Sequence, residues 1–115
     1  MKMKFKKIVI LLALMVLAGS VFGQIRSKSV GQYTIALYYA ESKYGVCIDD
    51  NNASTRYFVF VSYNKSDAME RYKDASQRTP SQVYELLQVL GYQYGWYYSG
   101  NINGMANYFH YGLLE

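Results

Sequence analysis

The chain is predicted to fold as an α+β domain. The expected architecture is an antiparallel sheet of about five strands with one main helix and one short helix packed on one face, in the order β-β-β-α-α-β-β. Three observations predict it. Apolar residues alternate with the rest in segments near the start and the end of the chain, the period of half-buried strands. Between them, a capping sequence opens a stripe of apolar residues at helical spacing. Tyrosine is in excess, 14 of 115 residues, and its apolar ring and polar tip suit strands that are half in water.

Residues 1–23 are read as a secretory signal peptide. Lys2, Lys4, Lys6 and Lys7 form a positive start, residues 8–18 (IVILLALMVLA) are unbroken apolar sequence, and compact residues lead to Gln24. Cleavage is expected before Gln24, with cleavage after Ser20 as the alternative. The run is about half the ~20 residues of a membrane-spanning helix, so no stable span is expected after cleavage. The single cysteine, Cys47, is far from the small-residue box, so a lipid anchor is not expected.

Removing the leader changes the charge. The whole chain carries +4, but four of its basic residues are the leader lysines, so residues 24–115 are balanced. No basic patch remains to meet nucleic acid. Residues 24–115 suffice for one small domain. Cys47, between Val46 and Ile48, is expected to be buried; a thiol free for intermolecular pairing is the alternative.

In chain order, residues 24–31 read as a loose polar arm. Residues 32–40 form a strand with Tyr33, Ile35, Leu37 and Tyr39 on one face. Residues 41–43 turn, and residues 44–49 return with Tyr44, Val46 and Ile48 aligned. The polar segment 49–54 starts like a calcium loop, but it lacks the sixth-position glycine and has Val61 at the twelfth, so a solvated turn is expected. Residues 56–63 (RYFVFVSY) form the strongest strand, with Tyr57, Val59, Val61 and Tyr63 on one side and Phe58 and Phe60 on the other. Residues 66–76 form the short helix, capped by Ser66 or Asp67. Thr79, Pro80 and Gln82 make a capping box for the main helix, whose stripe is Val83, Leu86, Leu87 and Leu90. Gly91 is its expected stop.

Asn103-Gly104 is the preferred pair for a two-residue hairpin turn. Around it, Ile102 is set opposite Met105, Tyr98 opposite Phe109, and Trp96 opposite Tyr111. That register places Tyr97, Tyr108 and His110 together on the more polar face.

The sequence from Leu86-Leu87-Gln88-Val89-Leu90-Gly91 through Gly95-Trp96 to Tyr108-Phe109-His110-Tyr111 resembles a short bacterial domain of unknown function, and is similar to small exported hypothetical proteins of Bacteroidetes. The likeness covers residues 80–114. It implies the helix–hairpin ending and an exported bacterial setting, and no activity. Tyr92-Gln93-Tyr94 departs from the usual spacing, so the alternative is a helix running to Tyr94 with Gly95 as its stop.

Chemistry-bearing residues are few. Cys47 and His110 are the one thiol–base pair the composition allows. No metal-ligand spacing, phosphate-binding glycine loop or cofactor motif is present. The expected function is a non-enzymatic exported module that binds a protein or a glycan through exposed rings, with Tyr97, Tyr108 and His110 as the candidate ligand-binding cluster. A self-associating homo-oligomer is the first alternative. A small Cys/His-dependent envelope hydrolase is the second.

Overall fold

The structure, a computed structural model, describes residues 23–40 and 42–114. The expected leader lies outside the described residues except for Gly23. Strands β1 (Gly23–Val30), β2 (Tyr33–Ala40), β3 (Lys43–Asp50) and β4 (Thr55–Ser62) come first. Helices α1 (Lys65–Ser76) and α2 (Pro80–Tyr94) follow. Strands β5 (Trp96–Ile102) and β6 (Met105–His110) and a 3₁₀ turn, Tyr111–Leu114, end the chain.

The strands form one six-stranded sheet in the order β1-β2-β3-β4-β6-β5. This corrects the expected five-stranded antiparallel sheet. The sheet is mixed, because β6 runs parallel to β4, pairing Thr55 with Ala106 through Phe58 with Phe109. A parallel neighbour needs a long crossover, and α1, α2 and β5 supply it.

The extra strand is β1, expected as a loose arm. Its residues are exposed apart from Val30, so the sequence carries no alternation to read. Pairing along β2, from Gly23 with Tyr39 to Val30 with Tyr33, holds it in the sheet. Arg26 and Lys28 put charge on this edge strand, which discourages further strand addition.

Both helices lie on one face of the sheet. Ile35 and Leu37 of β2 and Val46 and Ile48 of β3 are fully buried there, against Ala68, Tyr72 and Ala75 of α1 and Val83 and Leu87 of α2. Burying an aliphatic side chain of this size contributes about 1.5–3 kcal/mol, so these four strand residues are a principal source of stability. They are the residues that alternation assigned to one face.

Strand β4 departs from its expected alternation. A bulge opposite Val46 and Cys47 pairs Cys47 with Phe58 and Val46 with Phe60. Val59 is the extra residue, so Tyr57, Val59 and Phe60 face the helices while Phe58 and Val61 face the other way.

The cap of α1 is Asn64, whose side-chain oxygen accepts from the backbone N–H groups of Ser66 and Asp67 at 2.9 and 3.2 Å, not Ser66 or Asp67. The capping box of α2 forms as expected, with Thr79 and Gln82 bonded reciprocally at 3.2 and 3.0 Å. Gly91 does not stop the helix. The helix runs to Tyr94 and ends at Gly95, whose φ of 82° suits glycine. Gly91 serves packing instead, because a Cβ there would stand 2.7 Å from Nε1 of Trp96.

Candidate functional site: a row of stacked rings

The hairpin turns at Asn103-Gly104, and both residues have positive φ, 53° and 81°. Ile102 pairs with Met105, as expected. Beyond it the register shifts, because Ser99 is an extra residue between Tyr98, which pairs with Tyr108, and Gly100, which pairs with Asn107 and has a φ of 115°. Tyr98 then pairs with Tyr108, Tyr97 with Phe109, and Trp96 with His110. A one-residue shift exchanges the two faces. The candidate cluster is therefore divided. Tyr108 and His110 share the helix-bearing face, while Tyr97 lies on the other, 5.1 Å from the Phe109 ring.

On the helix-bearing face the shifted register builds a continuous row. Ring centroids step from Tyr98 to Tyr108 at 5.3 Å, to Tyr57 at 5.8 Å, to Trp96 at 4.8 Å, to His110 at 5.8 Å and to Tyr94 at 4.8 Å. Tyr57 enters from β4 through the parallel pairing with Tyr108. Tyr94 is the last residue of α2. The two ends of the row are open, with Tyr98 49% and Tyr94 46% exposed. Tyr57, Trp96 and Tyr108 are half-buried.

Two hydrogen bonds fix the middle of the row. The indole Nε1–H of Trp96 donates to the Leu87 carbonyl at 3.3 Å and ties β5 to α2. Nε2 of His110 lies 3.0 Å from the Val59 carbonyl. That carbonyl can only accept, so Nε2 carries the proton. Nδ1 is then a lone pair, buried and without a hydrogen-bond partner. Burial lowers the His110 pKa, against the opposing pull of the Val59 bond. A neutral ring stacked 4.8 Å from Tyr94 is the result.

The phenol of Tyr57 is pushed up chiefly by burial and further by the Asp50 carboxylate and by Tyr108 and Tyr33. Tyr33 is raised by burial, Asp50 and Tyr84 in that order. These hydroxyls stay protonated at neutral pH and both donate and accept. The row thus offers flat apolar ring faces edged by hydroxyl groups.

The thiol–base pair does not form. Cys47 is fully buried between Ala36 and Phe58 on the face away from the helices, and His110 is on the opposite face. Burial raises the thiol pKa, more than the Arg56 guanidinium lowers it. Among the described residues, no three His, Cys, Asp or Glu side chains are grouped to hold a metal ion. Among them, too, no helix is long and apolar enough to cross a membrane.

Sequence reasoning found Tyr108 and His110 but missed Tyr57, Trp96 and Tyr98 as their neighbours. Gly100 was the available signal, since an isolated glycine in a strand marks a bulge. No protein-family model matches the chain, and comparison with curated proteins and with solved structures returns no match.

Proposed function

We propose that the chain is an exported, non-enzymatic binding module of a bacterial envelope, and that it holds a glycan or a protein segment on the open Tyr98–Tyr108–Tyr57 end of the ring row. The observation that carries this reading is the row itself, six rings in unbroken contact with exposed ends. Rings held by their neighbours lose little freedom on binding, and large aromatic side chains concentrate binding energy. Their faces match the C–H faces of sugars as well as apolar side chains. His110, being buried, supports the row and does not touch the ligand.

Trp96 is the chain's only tryptophan and stands inside the row, so its emission reports occupancy. The full chain and a Tyr98→Ala/Tyr108→Ala variant are titrated with a panel of soluble glycans and with envelope proteins. A ligand that changes Trp96 emission in the parent and binds the folded variant at least about tenfold more weakly, about 1.4 kcal/mol, is the expected result. A ligand held equally by both is bound elsewhere and refutes the assignment.

A further inference from the structure

Above β4, between α1 and α2, the helix layer does not close. The opening is a crevice of about 70 Å³. Val59 and Phe60 of β4 form its floor, Ala75 leaves room on the α1 side, and Leu86 and Leu90 line the α2 side. Both leucines belong to the apolar stripe of α2, yet they stay half-buried while Val83 and Leu87 of the same stripe are buried.

One charge at the rim has no counterpart. Arg71 of α1 lies with its Cζ 4.6 Å from the centroid of the Phe60 ring. That contact holds the cation at the crevice. Among the described residues, no carboxylate is within ion-pair distance of it; the ion pairs are Arg56 with Asp49 and Arg78 with Asp74. Asp74 also lines the crevice, but its carboxylate is engaged by Arg78 at 3.2 Å.

Size and charge together select the occupant. A water needs roughly 10–15 Å³, so the crevice has room for about five atoms of that size. The isobutyl group of a leucine fits, and a long acyl chain does not. The planar fork of a guanidinium matches a carboxylate through parallel hydrogen bonds. In the carboxyl-terminal residue of a peptide, an aliphatic side chain and a carboxylate branch from the same carbon, so one residue meets both demands.

We propose that this crevice is a second binding site, which takes the carboxyl terminus of a peptide. A branched aliphatic side chain enters between α1 and α2, and the terminal carboxylate meets Arg71. This inference does not rest on the ring row, since Tyr98 and Tyr108 take no part in the crevice.

The full chain, isotopically labelled, is titrated with N-acetyl-diglycyl-leucine and with its carboxyl-terminal amide. The methyl resonances of Leu86 and Leu90 and the Nε–H resonance of Arg71 should follow one binding curve. The acid should bind at least about tenfold more tightly than the amide, and Arg71→Gln should bring the two together. Arg71 is exposed, so the variant should fold as the parent does. Glycine in place of the peptide's leucine should weaken binding by about tenfold or more. An acid-to-amide ratio unchanged in Arg71→Gln would overturn the proposal, as would unmoved leucine resonances or no saturable binding below about 10 mM. Free leucine binding more tightly than the peptide would assign the crevice to an amino acid instead. The Tyr98→Ala/Tyr108→Ala variant should bind the peptide as the parent does; loss of binding there would place the peptide on the ring row and refute the assignment to the crevice.

Discussion

Replacing Gly91 by alanine tests how α2 and β5 are joined. In isolation the change favours the helix, because alanine is about 1 kcal/mol better than glycine in a helix interior. In the fold, the added Cβ would stand 2.7 Å from Nε1 and 2.9 Å from Cδ1 of Trp96. The indole has little room to retreat, with the Tyr57 ring 4.8 Å away and the edge-on His110 at 5.8 Å. Forcing atoms into such a site costs about 1–3 kcal/mol. Displacing the ring also removes its bond to the Leu87 carbonyl, a further loss of about 0.5–1.5 kcal/mol. The net expectation is destabilisation by about 2 kcal/mol, or roughly 8–16 °C in Tm for a domain of this size. Urea unfolding followed by Trp96 emission and by far-UV circular dichroism measures it, and the midpoint should fall at constant slope. Gly23→Ala is the control. An added Cβ there meets nothing within 4 Å, and the midpoint should stay within about 0.5 kcal/mol of the parent. If Gly91→Ala unfolds at or above the parent midpoint, the helix gain outweighs the clash and the packing argument is wrong.

Other perturbations probe separate features. His110 has a lowered pKa in the fold, chiefly from burial, so the unfolded chain takes up the proton first as the pH falls. Its contribution to stability is therefore full above about pH 6.5 and is lost as the pH falls from there through the folded pKa. Urea midpoints at about pH 7.5 and about pH 5.5 should differ in the parent, and the difference should shrink in His110→Gln; an unchanged difference would place the titration elsewhere. Arg56 donates to both oxygens of Asp49, at 2.7 and 2.9 Å, with both side chains mostly buried. Asp49→Asn leaves the guanidinium without its counter-charge and should cost about 2 kcal/mol in the same unfolding assay, below the range for fully buried pairs. Thr79→Ala removes the acceptor for the Gln82 N–H and should cost about 1 kcal/mol; no loss would mean that Pro80 and Gln82 suffice to start α2.

What could be read from the sequence was local. Ile35, Leu37, Val46 and Ile48 alternate within their own strands, Thr79 and Gln82 are three residues apart, and Asn103-Gly104 bends the chain by its own conformational preference. The structure keeps all of these. What could not be read depended on residues far away. Strand β1 is exposed almost throughout, and only its ladder with β2 defines it. The parallel contact between Tyr57 and Tyr108 joins segments about fifty residues apart in sequence, and no periodicity announces it. The β4 bulge at Val59 and the β5 bulge at Ser99, beside Gly100, each reverse which side chains share a face, so strict alternation assigned Phe60 and Tyr97 to the wrong neighbours. The candidate site was accordingly legible only in small part. Tyr108 and His110 were singled out by the hairpin register, but the row needed the bulge and the parallel pairing to exist.

The position of β6 also governs when the molecule can become complete. The last of the described strands, β6, lies between β4 and β5, in the interior of the sheet. Until residues 105–110 are available, β4 has an open edge and β5 has no neighbour at all. A chain emerging from its amino end can assemble the β1–β4 meander early, since each strand there pairs with the next one. It cannot close the ring row, bury Phe109 or anchor His110 on Val59 until residues 105–110 have been delivered. Loss of residues 105–110 would therefore act as damage to the centre of the sheet, where loss of β1 would only remove an edge.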